Sequence, residues 1–154
     1  MSNEIMSVEG QLIGMPLAGP ESFSQQQLDY LKRALGVDET VLWTGEASGV
    51  DATMNLSEAY TNFERLRFVI YEGNASIPYW WSEVCTNGAL LYPSYVRTNS
   101  SKAEVVGMWT LQSSNNNKTL TISVSTIRTN GGTQGANSSK IMKIVGIHRV
   151  AGGN

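Results

Sequence analysis

Cys85 is the only cysteine in the 154-residue chain, so no intramolecular disulfide can form. His148 is the only histidine, which excludes His-rich metal sites and multi-histidine catalysis. Charge is scarce as well. Acidic and basic side chains make up 16% of residues, 11 basic against 13 acidic, for a net charge of −2. Such a chain has no basic surplus with which to meet nucleic-acid phosphates. No apolar run reaches the roughly 18 residues that a membrane-spanning helix needs, so no membrane insertion is expected. No D-x-D-x-D-G calcium loop occurs. GGTQG at 131–135 lacks the Lys-Ser/Thr ending of a phosphate loop and reads as a hairpin loop. At 41% apolar residues the chain has enough to build one domain with a core, and full disorder is excluded. What is abundant is Ser, Thr, Asn and Gly, the residues of turns and solvent-facing strand positions.

The spacing of apolar residues divides the chain into three parts. Residues 1–22, broken by Gly10, Gly14, Pro16, Gly19 and Pro20, read as an extended lead-in or connector. They contain no Lys or Arg, so the basic start of a secretory signal is missing. Residues 23–36 carry one short helix. Ser24 and Gln27 form a capping box, with Phe23 and Leu28 placed as a hydrophobic staple around it. Lys32 and Arg33 suit the negative end of the helix dipole, and Gly36 suits a left-handed stop. Leu28, Leu31 and Leu35 make a narrow stripe. A helix this short is marginal alone, so the stripe must pack on the following domain or on copies of itself.

Residues 37–154 follow a period of two. Strands are expected at 41–45, 54–56, 66–72, 77–85, 104–112, 119–128 and 140–150. Leu66, Phe68 and Ile70 share one face, while Val69 and Tyr71 make the other partly apolar, as in a central strand. Leu120, Ile122 and Val124 alternate with Ser and Thr. Turns are expected at Gly49–Asp51, Gly73-Asn74 and Asn115–Asn117, a hairpin at Asn87-Gly88 and a loop over 130–139. The fold class is therefore all-β: an antiparallel, jelly-roll-like sandwich preceded by one short N-terminal helix.

The stretch VLWTGEASGVDATMNLSEAYTNFERLRFVIYEGN (41–74) and the closing KIMKIVGIHRV (140–150) carry a resemblance. Together they resemble a C-terminal module of bacteriophage and prophage tail-fibre or baseplate proteins. QQQLDYLKRALGV (25–37) is similar to the short helix that often precedes such modules. WTLQSSNNNKTL (109–120) and the Tyr79-Trp80-Trp81 run fall outside that pattern. The resemblance implies a virion structural protein made in the bacterial cytoplasm without a signal peptide. It implies a homo-oligomer, most often a trimer, at a fibre tip that touches a glycan or protein receptor on the bacterial surface. Leu28, Leu31 and Leu35 are then candidates for the oligomer interface.

Tyr79, Trp80 and Trp81, with Tyr92 and Tyr95 close in sequence, are the candidate glycan or receptor contacts. Sugar rings stack on aromatic faces while Asn and Ser bond hydroxyls. The alternative is that these rings are core or subunit contacts. In a strand, Tyr79 and Trp81 share one face and Trp80 takes the other. Pro78 removes a ladder donor and suggests an edge strand or a loop. His148 has no recognisable nucleophile or orienting carboxylate beside it, and reads as structural. Cys85 reads as a buried small hydrophobe. Glu58, Glu64, Glu72 and Glu83 could pair for glycoside cleavage only at a defined separation. The expectation is a non-enzymatic virion component, a tail-fibre, tip or head-decoration module, with no catalytic residue, metal or cofactor, and with a carbohydrate-binding module and a small glycan hydrolase as alternatives. The N-x-Ser/Thr sequences at Asn55, Asn74, Asn99, Asn117 and Asn137 read as products of a Ser/Thr/Asn-rich composition.

Overall fold

A computed structural model describes residues 4–5, 15–16, 23–36, 38–72, 79–98, 104–129, 132, 134–137 and 139–150. The chain divides into two compact units, Met1–Asp38 and Glu39–Asn154. In the first, β1 (Glu4–Ile5) pairs antiparallel with β2 (Met15–Pro16). Helix α1 spans Gln25–Ala34. The Ser24 hydroxyl accepts from the Gln27 amide, and the Gln27 side chain accepts from the Ser24 amide, completing the capping box. Gly36 adopts φ +66°, the left-handed geometry that lets its amide reach back to the Arg33 carbonyl and end the helix. No residue of α1 is buried, and Leu35, just past the helix, is 72% exposed.

The second unit is an antiparallel sandwich. One sheet has the order β3 (Glu39–Ala47), β12 (Lys140–Arg149), β5 (Phe63–Tyr71), β6 (Tyr79–Cys85). The other is built on the hairpin of β9 (Glu104–Ser114) and β10 (Thr119–Thr129). β4 (Thr53–Asn55) and β11 (Gln134–Ala136) share the free edge of β10, while β7 (Leu90–Leu91) and β8 (Ser94–Thr98) share the free edge of β9. Side chains of both sheets meet in one core, including Leu66, Phe68, Ile70, Ile141 and Ile144 from one side and Trp109, Leu111, Leu120 and Ile122 from the other. The jelly-roll likeness covers the two packed sheets and the crossings β3 to β4 to β5. From β8 to β11 the chain runs instead as a meander within one sheet.

β5 lies between two strands, as its two-faced apolar pattern indicates, and β6 is an edge. Three expectations change. Asn87-Gly88 does not close a hairpin; it carries the chain from β6 to β7 in the opposite sheet. Neither residue takes the positive φ that a tight type I′ turn requires. Val124 does not join Leu120 and Ile122 in the core. A bulge at Ser123 shifts the register against β9 and turns Val124 outward, 44% exposed, while the Ser123 hydroxyl donates to the Thr110 carbonyl. The loop over 130–139 contains β11, paired through Ile127–Gly135. The Gly73-Asn74 turn, Ile77-Pro78 and the acceptor sites at Asn74 and Asn99 lie outside the described residues. Asn55 and Asn117 spend their side-chain oxygens on Thr119 and Ser113, and Asn137 is buried.

Candidate functional site

Alternation along β6 sets the site. Leu66, Phe68 and Ile70 of β5 point into the core, so Arg67, Val69 and Tyr71 point outward. Antiparallel pairing then places Trp81 beside Val69 and Tyr79 beside Tyr71 on that outer face. Beyond β5, β12 sets Lys143 beside Val69 and Lys140 beside Tyr71, and β3 sets Thr44 beside Lys143. Two cross-strand rows result, Lys140–Tyr71–Tyr79 and Thr44–Lys143–Val69–Trp81. Trp81 is 71% exposed and Tyr79 53%.

The electrostatics of this face are fixed by ion pairs. The Arg67 guanidinium sits 5.2 Å from the centre of the Trp81 ring, a cation–π contact. It is held there by Glu39 at 2.7 Å and Glu83 at 2.8 Å. Its hydrogen bond to Glu83, foremost, raises its pKa, so the cation under Trp81 is permanent. Arg65 shares Glu83 at 3.0 Å. Lys140 is bound to Glu46 at 2.6 Å, and that hydrogen bond raises its pKa. Tyr71 and Tyr79 tilt against each other with ring centres 5.3 Å apart. Two exposed aromatic faces on one sheet, bordered by charge and hydroxyls, can stack flat apolar ring faces and orient their polar edges.

The other sequence candidates separate from this surface. Trp80 points the opposite way and packs against the core, stacked on Tyr95 at 6.0 Å. Tyr95 is itself buried, and its hydroxyl shares a 2.7 Å hydrogen bond with Ser139, so it is a core residue and no surface contact. Tyr92 is exposed but lies between β7 and β8, in the opposite sheet. Cys85 is exposed, because Val84 takes the core-facing position of β6. Arg67, Tyr71, Lys140 and Lys143 were not singled out from sequence. The outward face of β5 is legible from its alternation, whereas the alignment of β5 with β6 and β12 needs the sheet register.

Two of the acidic candidates are engaged by arginines, one is buried and one lies beside His148. Glu58 receives both Arg149 guanidinium nitrogens, at 2.6 and 2.7 Å, and the Asn62 amide at 3.0 Å. The Arg149 hydrogen bonds, foremost, hold its carboxyl below the ordinary value. A carboxylate kept charged in this way is a poor proton donor. Glu64 lies 3.6 Å from His148, Glu83 serves Arg65 and Arg67, and Glu72 is buried at the end of β5. Among the described residues no group of three His, Cys, Asp or Glu is placed to hold a metal. No helix among them is long and apolar enough to cross a membrane. Neither a protein-family model nor a curated protein sequence matches this chain.

Proposed function

We propose that this chain is a non-enzymatic phage or prophage virion component, a tail-fibre or tip module that binds bacterial surface glycan through Tyr79 and Trp81. The observation that carries the reading is the pair of exposed aromatic rings on the outer face of β6, with Trp81 backed by the Arg67 cation. The virion part rests on the resemblance of 41–74 and 140–150. Those segments supply β3, β5 and β12, which are neighbours in the sheet that carries the rings. Self-association through Leu28, Leu31 and Leu35, as a trimer, belongs to the same proposal.

A glycan array with the purified full chain tests it. Binding is expected, and Trp81→Ala and Tyr79→Ala are expected to abolish it while the circular dichroism spectrum and melting temperature stay unchanged. An array without hits overturns the glycan reading. Because β6 is a sheet edge, the competing occupant is a second copy of the chain. In that case Trp81→Ala lowers the mass seen by light scattering and leaves glycan binding untouched. The hydrolase alternative draws no support from the carboxylates described above.

A further inference from the structure

We infer that the saccharide recognised at this face is an anionic one, a sugar carrying a carboxylate or phosphate, and that Lys143 is the residue that selects it. The inference rests on the platform reading and adds the chemical class of ligand. Of the four cations that β5 and β12 place on this face, three have carboxylate partners. Arg67 has Glu39 and Glu83, Arg65 has Glu83, and Lys140 has Glu46. Lys143 has no carboxylate partner among the described residues. It stands in the same cross-strand row as Trp81, with Val69 between them. Two strand spacings separate its Cβ from that of Trp81, about 10 Å. The flexible lysine stem shortens that gap, so a sugar ring lying over Trp81 and Val69 brings an exocyclic acid group to the ammonium. The neighbouring row cannot serve an anion equally well, because Glu46 already occupies Lys140 and repels a second negative charge. The chain as a whole carries a net charge of −2, so a cation with no carboxylate partner among the described residues, in the same row as the most exposed aromatic ring, is a local reversal of sign. An ammonium is a compact point charge that accepts either anion, without the fork geometry that favours one.

The test uses the full chain and two pairs of probes in titration calorimetry: oligogalacturonate against its carboxyl-reduced neutral form, and phosphorylated dextran against dextran. The expected result is binding of one acidic member over its neutral partner, which identifies the anion. Lys143→Gln is expected to weaken it about tenfold, and Lys143→Arg to retain most of it. Raising the salt concentration weakens the acidic probe and leaves any binding of the neutral one unaltered. Equal affinity for acidic and neutral members, or an unaltered affinity in Lys143→Gln, overturns the inference while the platform reading stands. Binding of none of the probes also overturns it, and the array then decides the platform reading separately. Unchanged melting temperatures of both variants show that the loss is one of contact.

Discussion

Tyr95 shows how one glycine fixes a core. It pairs directly with Gly107 of β9, and its ring lies across the space where a side chain at 107 would stand. An added Cβ would fall inside the Tyr95 ring, within a stack that continues to Trp80 and Trp109. Gly107→Ala is therefore expected to destabilise the sandwich by about 2–3 kcal/mol, the upper part of the range for overpacked cores. Thermal unfolding measures this as a drop of several degrees. Glu58 is a second decisive residue, joining the turn before β5 to Arg149 at the end of β12. Its folded pKa lies below the ordinary 4.5, so the unfolded chain takes up the proton first. Its stabilisation is complete above that value and fades as pH falls through the folded pKa. Glu58→Gln is expected to cost about 1–2 kcal/mol at neutral pH and to make the acid limb of a stability profile shallower. An acid limb identical to that of the parent chain would refute the assignment.

At the level of elements, local chemistry and partner strands have different authority. Helix α1 starts and stops where its own residues say it should, because Ser24, Gln27 and Gly36 satisfy terminal backbone groups within a few positions of themselves. Ser24→Ala is expected to cost the helix about 1 kcal/mol, seen as a loss of helical signal in circular dichroism. Strand β10 behaves otherwise. Its apolar alternation is regular up to Ile122, yet the bulge against β9 reverses the next position and sends Val124 to solvent. A bulge is a property of two strands, so no pattern within one of them announces it. β7 and β8 have the same origin: they are short and gain their identity from pairing with β9.

For the whole molecule, the sandwich leaves an aromatic face outward on one sheet edge, and α1 presents Leu31 half-buried with Leu35 exposed beyond it. If the leucine stripe joins copies of the chain, Leu31→Asp lowers the oligomer order in light scattering without altering the melting of the sandwich. An unchanged mass would remove the stripe from the interface. Composition and period by themselves determined the class: one short capped helix, then strands with polar turns and a single core. That follows because burial depends on alternation, which each strand carries in its own residues. Tertiary structure decided which rings meet solvent and which neighbours they have. Tyr95 and Trp81 are both aromatic residues in strands, and one is buried while the other is the most exposed ring of the chain. The grouping of Trp81 with Arg67, Val69 and Lys143 joins two consecutive strands, β5 and β6, to β12 near the far end of the chain. Only the register between those strands, set by the packing of their opposite faces into the core, brings them together.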